Sequence, residues 1–278
     1  MNSPLVTVSI PTYNSAVSLK RCLDALYSQT YKNIEVNLVD GFSSDATLAV
    51  AERYPITFFQ DKMGLLNARK IGAEKALGEL VLLLDSDQIL EQDAVERAVR
   101  ILEKDKLDML VLEERVYKSE TPLEKLFQLD RKLIHAVRDF SPITGVMLPR
   151  FYRKDVLQRA INNIPQQVLK AGGQDHAIIY YEAWQLSQKV DLLNNAVSHV
   201  EPSTLRELVP KFYRWGRTSR QARVDKYKGM LAKKERFRKG MFSRGLIGAS
   251  LASILLLLIK GFPYKLGEFV SRKEKNGL

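Results

Sequence analysis

Two hydrophobic rhythms alternate along the first hundred residues. Leu5-Val6-Thr7-Val8-Ser9-Ile10 is a β-branched, strand-like run ended by Pro11. From Ser18 to Ser28 the apolar residues Leu19, Cys22, Leu23 and Leu26 recur at helical spacing. Ile34 to Val39 predicts a second strand, Asp45 to Tyr54 a helix stopped before Pro55, and Ile56 to Gln60 a short third strand. Leu65 to Leu77 predicts a helix closed by Gly78. Val81-Leu82-Leu83-Leu84 is apolar without alternation, as expected of a parallel strand covered on both faces. Glu91 to Lys104 is again amphipathic. This succession predicts an α/β fold, a mostly parallel sheet with helices on both faces. Such sheets bind ligands beyond the C-terminal ends of their strands, and the polar motifs of this chain fall there.

Residues 107–200 mix short strand and helix signals, and residues 205–240 read as basic, aromatic helices. Gly245 to Ile259 is then fifteen residues without a charge, flanked by Arg and Lys on both sides. As a helix it spans about 22 Å, short of a hydrocarbon core of roughly 30 Å. The expectation is an interfacial or re-entrant anchor, with a short span and a buried core helix as the other two readings. The chain thus divides into an α/β domain over 1–204, with halves 1–105 and 106–204, and a basic, partly hydrophobic helical region over 205–278 that associates with a membrane through residues 240–265.

Charge sharpens that division. The chain carries +11 overall, but residues 1–204 hold 24 Lys+Arg against 27 Asp+Glu, while residues 205–278 hold 19 against 5. A field of that size attracts polyanions, whether diphosphates, nucleic acid or an anionic bilayer. A hydrophobic content of 45% with 27% charged residues excludes disorder as the overall class. The single cysteine, Cys22, excludes an internal disulfide framework and fits a reducing compartment. Met1-Asn2-Ser3-Pro4 leads straight into a strand-like run, so no signal sequence is expected. These features together predict a cytoplasmic protein held at the cytoplasmic face of a membrane.

Candidate chemistry sits at the strand ends. Asp85-Ser86-Asp87 follows the most apolar strand, and two carboxylates two residues apart can approach one hard cation, Mg²⁺ or Mn²⁺. An Asp-rich turn capping the next helix would read the same way. Asp40, ahead of Gly41-Phe42-Ser43-Ser44-Asp45, can accept hydrogen bonds from a nucleobase or ribose, and Ser44 or Asp45 can equally cap the next helix. In Pro11-Thr12-Tyr13-Asn14, Tyr13 offers a ring for stacking and Asn14 an amide, or the segment is a simple turn. Arg69 and Lys70 suit a diphosphate, or are two solvated helix charges. Asp175, after Gly172-Gly173-Gln174, can serve as general base toward an acceptor hydroxyl or as a helix cap. His199 can hold a metal or touch phosphate. No Gly-x-Gly-x-x-Gly after the first strand, Walker phosphate loop, Gly-x-Ser-x-Gly elbow or Cys pair competes.

Taken together, these segments resemble the family-two glycosyltransferases of the GT-A fold. The matching segments are Val8-Ser9-Ile10-Pro11-Thr12-Tyr13-Asn14, Gln29-Thr30-Tyr31-Lys32-Asn33-Ile34-Glu35-Val36, Val39-Asp40-Gly41-Phe42-Ser43-Ser44-Asp45, Gly64-Leu65-Leu66-Asn67-Ala68-Arg69 and Leu84-Asp85-Ser86-Asp87, in family order. The resemblance implies an inverting transferase that takes a sugar from a nucleotide-diphosphate sugar. It implies that Pro11, Tyr13, Asn14, Asp40 and Arg69 bind the nucleotide, that Asp85 contacts ribose or the metal region, that Asp87 holds a divalent metal, and that Asp175 is the base. Gln174 stands where the family often has Glu, and Lys70 where it has Asn. Arg214-Trp215-Gly216-Arg217 resembles a basic aromatic element that closes over the diphosphate in some members. The expected partners are a nucleotide-sugar donor, a glycan or lipid-linked acceptor and a membrane surface, with no nucleic acid. The competing readings are a non-catalytic sugar-nucleotide binder and a basic nucleic-acid-binding protein.

Overall fold

The computed structural model describes residues 3–136, 138–143, 146–236 and 247–275. The basic stretch 237–246, including the first two residues of the expected apolar run, lies outside them.

The N-terminal half follows the expected alternation: β1 (Val6–Thr12), α1 (Ala16–Tyr27), β2 (Ile34–Asp40), α2 (Thr47–Ala51), β3 (Thr57–Gln60), α3 (Leu65–Glu74) and β4 (Leu80–Leu83). A short β5 (Gln88–Leu90) then precedes α4 (Ala94–Lys104). The second half runs β6 (Met109–Val116), α5 (Pro122–Ala136), β7 (Pro149–Arg153), α6 (Lys154–Asn162), α7 (Asp175–Leu186) and β8 (Val190–His199). Three C-terminal helices follow, α8 (Leu205–Ser219), α9 (Asp225–Arg236) and α10 (Ile247–Lys275).

Among the described residues the strands form one eight-stranded sheet, ordered β3-β2-β1-β4-β7-β6-β8-β5. The first four are mutually parallel, with Val6 opposite both Ile34 and Leu80. β7 enters antiparallel to β4 and β6, and β5 antiparallel to β8. β4 explains the run without alternation. Leu80 and Leu82 join one core with Leu19, Leu23 and Leu26 of α1 and Val95 and Leu102 of α4. Val81 and Leu83 join the opposite core with Leu66 of α3, Leu157 of α6 and Ile178 of α7. The fold is α/β with helices on both faces, as expected.

Three helices are shorter than their hydrophobic patterns; α4 starts at Ala94, whose N–H donates to the Glu91 carbonyl at 2.9 Å in the turn before it. Asp45 accepts from the Thr47 backbone N–H at 2.9 Å, so α2 starts only after it. α3 stops at Glu74, because the Gly78 N–H is taken by Thr7 Oγ1 at 2.9 Å and the chain turns into β4. α3 also lies unusually near the sheet: a Cβ on Gly72 would sit 1.9 Å from Ser9 Oγ. That close approach sets Arg69, one turn earlier, beside Asp85 just beyond the end of β4.

The apolar C-terminal run differs most from expectation. It belongs to a helix of 29 residues that continues through Gly261 and Pro263. The helix is held from outside: Ala249, Ala252, Ser253 and Leu256 are buried, and Ser253 Oγ donates to Asp130 Oδ1 of α5 at 2.5 Å. Nor does the segment after residue 204 stand apart, since α9 adds Tyr227, Met230 and Leu231 to the core under α6 and α7.

Candidate functional site

The site is a chain of alternating charges built around the end of β4, with side chains reaching in from α3, α5, β6, β7, α7 and α8. Its hub is Arg69, 1% exposed on α3. The guanidinium donates through Nη2 to Asp85 Oδ1 and through Nε to Asp175 Oδ2. Asp85 follows β4, and Asp175 is the first residue of α7, where a helix N-terminus favours a carboxylate. Arg69 thus ties together two acidic residues 90 positions apart in sequence. Its Nη1 is buried with no hydrogen-bond partner among the described residues.

The ladder continues through residues the sequence reading did not single out. Arg150 of β7 pairs with Asp85 Oδ2 at 2.9 Å and with Glu114 of β6 at 3.1 Å. Arg131 of α5 donates to Glu114 at 2.5 Å and, through Nε, to Glu201 at 3.0 Å. Glu201 lies 3.3 Å from His199 Nδ1, and His199 Nε2 lies 3.4 Å from Asp87 Oδ1. Lys211 of α8 closes the chain on Asp87 Oδ2 at 3.1 Å. Strand register brings the last members together: His199 is the pairing partner of Gln88, next to Asp87, in the β5–β8 ladder. Gln88 is fully buried; it accepts from the Asp85 backbone N–H and donates to Glu114, both at 2.9 Å.

Burial gives these charges their strength. Burial alone would raise the Asp85 carboxyl, but Arg150 and Arg69 hold it well below the usual range. Glu114 is likewise held down to about 2, with Arg131 and Arg150 outweighing burial. Burial, with Arg150 and Arg69 beside it, pushes His176 well down, so its ring is neutral and its Nε2 accepts from Arg150. His199 moves the other way: Asp87 and Glu201 overcome burial and raise it.

The predicted nucleotide-binding residues divide into buried and open groups. Pro11 is buried at the end of β1. Asp40 is fully buried and accepts from Thr12 Oγ1 at 2.9 Å, the Ser43 N–H at 2.8 Å and Ser43 Oγ at 2.6 Å, which builds the turn after β2. Asn14 braces that turn by accepting from the Ser44 N–H at 2.8 Å. Tyr13 is half exposed, with the Arg214 guanidinium 5.4 Å from its ring centre. Lys70, half-buried, pairs with Glu74 one turn on along α3 at 3.7 Å. Asp85, expected near nucleotide or metal, spends both oxygens on arginines.

Asp87 and His199 have the chemistry to share one divalent cation. The carboxylate oxygen and the ring nitrogen face each other, and Glu201 orients the ring from behind as outer carboxylates do at metal sites. Among the described residues no three His, Cys, Asp or Glu side chains converge on one cation. Mg²⁺ and Mn²⁺ sites commonly take one or two protein ligands and complete their shell with phosphate oxygens and water.

α8 covers this side. Trp215 packs on the turn before α7, where Gly173 has φ +72° and a Cβ would lie 3.1 Å from Trp215 Cβ. Lys211 lies 5.3 Å from the centre of the Trp215 ring. The basic aromatic element Arg214-Trp215-Gly216-Arg217 therefore extends one turn earlier, to Lys211.

Residues 7–171 match the family model described as glycosyl transferase family 2, more than half of the chain. The chain belongs to glycosyl transferase family 2. Glycosyltransferase GlyA of Streptococcus pneumoniae serotype 4 is 34% identical over 112 residues, covering 38% of this chain and 16% of that protein. Putative glycosyltransferase EpsH of Bacillus subtilis is 34% identical over 106 residues, covering 36% and 31%. The chain thus spans less than half the length of these curated relatives. Solved structures of the same fold extend over nearly all of it. S. aureus TarS 1–349 in complex with UDP-GlcNAc has a TM-score of 0.59 at 14% identity, covering 98% of this chain and 92% of that one. Mannosyltransferase PcManGT from Pyrobaculum calidifontis, in complex with GDP-Man and Mn²⁺, has a TM-score of 0.57 at 19% identity, covering 98% and 85%. The family match ends before Asp175, His199 and Lys211, so the geometry alone links those residues to the family-two segment.

Proposed function

We propose that this protein is an inverting, metal-assisted glycosyltransferase. It moves one sugar from a nucleoside-diphosphate sugar to an acceptor hydroxyl on a lipid-linked or cell-envelope glycan, at the cytoplasmic face of a membrane. The observation that carries the reading is the Arg69 bridge. One buried guanidinium holds both Asp175, at the head of α7, and Asp85, at the end of the central parallel strand, beside Asp87 and His199. UDP-GlcNAc and GDP-Man, the donors in the two solved relatives, are the first to try.

In the proposed reaction the donor's nucleotide lies along Tyr13, Asn14 and the Asp40 turn, with its diphosphate toward Asp87. Asp175 has one oxygen fixed by Arg69 and uses the other to take the proton of the acceptor hydroxyl. The hydroxyl oxygen attacks the anomeric carbon as the bond to the diphosphate breaks on the opposite face, and configuration inverts. A divalent cation on Asp87 and His199 would supply charge neutralisation for the departing diphosphate. Lys211 and Arg214 add protein cations on the same side.

The test is turnover with a panel of UDP-, GDP-, dTDP- and CMP-sugars and Mn²⁺, with the product's anomeric configuration read by NMR. The expected result is nucleotide release with one donor class and a product of inverted configuration. Retained configuration would contradict the single displacement, and no turnover across donors and acceptors would favour a non-catalytic sugar-nucleotide binder.

A further inference from the structure

α10 has two unlike faces. One is committed to the protein. Besides Ser253 on Asp130, Arg223 donates to Glu268 at 2.9 Å, and Gln174, beside Asp175, reaches the Tyr264 hydroxyl at 3.4 Å. The crossing with α8 is backbone on backbone: a Cβ on Gly216 would lie 1.9 Å from the Tyr264 carbonyl oxygen, and one on Gly267 2.2 Å from that of Tyr213. Only glycines allow two helices this close.

The other face is apolar. Ile247, Leu251, Leu255, Leu258, Phe262 and Phe269 all stand exposed, Ile247 at 70%, Leu258 at 67% and Phe262 at 76%. Their spacing by threes, fours and a final seven aligns them in one stripe, about 33 Å long at 1.5 Å per residue. An exposed apolar surface of this extent marks a contact with a protein or a membrane.

Charge decides between those two. Residues 205–278 carry 19 Lys+Arg against 5 Asp+Glu. A second copy docked on the same stripe would bring two such fields together, whereas an anionic bilayer surface attracts each nearby Lys and Arg. Topology follows from the committed face. Ile247–Arg272 is long and apolar enough to cross a bilayer. Crossing would require α10 to leave α5 and α8, or carry Asp130 and Lys260, 3.8 Å apart, into hydrocarbon.

We propose that α10 is an in-plane membrane helix: docked on α5 and α8 by its small residues, it lays the Ile247–Phe269 stripe into an anionic bilayer surface. The inference deepens the membrane-associated transferase reading above and rests on it. Because α8 also carries Lys211 to Asp87 and Trp215 to the turn before Asp175, the membrane helix and the chemical site share one element. An acceptor carried by a lipid would then be met by an enzyme already lying on the surface.

The test uses the full chain with one spin label at a time, at Leu251→Cys, Leu258→Cys or Phe269→Cys; the native Cys22 is buried. Depth is read from oxygen and nickel accessibility on phosphatidylcholine vesicles with and without phosphatidylglycerol. The expected result is one shallow depth for all three labels, only with the anionic lipid. The Leu258→Glu, Phe262→Glu double variant is expected to lose at least about tenfold in vesicle affinity while keeping its melting temperature. Depths that step across the bilayer from residue 251 to 269 would overturn the in-plane geometry in favour of a span. Labels that stay in water, or spin–spin broadening without lipid, would overturn the membrane face, the latter in favour of a second copy. Donor-induced stabilisation is measured on every labelled protein. If it persists, a negative depth result counts against the membrane helix alone; if wild type lacks it, the transferase reading itself has failed.

Discussion

Asp175→Asn is expected to lower kcat by roughly 10²–10⁴-fold, the usual contribution of a general base, with donor affinity little changed. The substitution is nearly isosteric. The new side-chain amide would still offer its carbonyl oxygen to Arg69 Nε, and Arg69 would keep Asp85, so the hub survives. What disappears is the basic oxygen that accepts the acceptor's proton. Initial rates at saturating donor, with a melting curve alongside, separate lost chemistry from lost fold. Wild-type turnover in Asp175→Asn would move the base elsewhere on the ladder.

Arg69→Leu is expected to be the most destabilising single change at the site, by about 3–5 kcal/mol, the cost of stranding a buried charge. Asp85 would keep Arg150 at 2.9 Å. Asp175, 4% exposed, would lose its hydrogen-bonded cation and keep only the weaker pull of Arg150 and a contact with His176, 3.8 Å away and held neutral by burial and the arginines, among the described residues. Urea denaturation measures the loss, and its pH dependence separates electrostatics from packing. In the wild type, Glu114 is held down to about 2 against an ordinary 4.5, and Asp85 also lies well below its ordinary value. A lowered carboxylate adds stability that is whole above its unfolded value and is lost as pH falls toward the folded one. His176, a lowered base, has the same sign and begins to cost stability below about 6.5. Stability should therefore fall with acid from about pH 6.5 downward, each such group steepening the slope by about 1.4 kcal/mol per pH unit within its own window. Arg69→Leu should give a shallower slope below about pH 4, because Arg69 is one of the two cations holding Asp85 down. An unchanged slope would mean that Arg150 alone sets it.

The parts of this molecule legible in sequence are those fixed by local periodicity. β1, α1, β2 and β4 end within about two residues of their hydrophobic patterns, and Asp85 and Asp87 stand where an apolar parallel strand must end. Arg69 was legible as a cation at that rim, yet its side chain turns inward to bridge two carboxylates. That fact depends on α3 descending onto Ser9 through Gly72. Arg150, Glu114, Arg131 and Glu201 gave no local signal, because antiparallel entry of β7 and the register of β6 with β8 bring them together across long sequence separations. Lys211 was hidden for the opposite reason: one lysine in a segment dense with basic residues looks like surface charge until α8 is seen over Asp87. α10 outruns its apolar run because packing against α8 and α5 holds a helix through Gly261 and Pro263, where intrinsic propensity would end it.

In the proposed reaction a nucleotide-sugar donor and a divalent cation meet at Asp87 and His199. The most direct measurement is the thermal stability of wild type and Asp87→Ala with UDP-, GDP-, dTDP- and CMP-sugars, each with and without Mn²⁺, since a ligand bound only by the folded state raises its stability by mass action. The expected result is a clear stabilisation of wild type by one donor class, larger with Mn²⁺, and no Mn²⁺-dependent part in Asp87→Ala. Equal Mn²⁺-dependent stabilisation of both proteins, or none by any donor in a well-folded wild type, would contradict it.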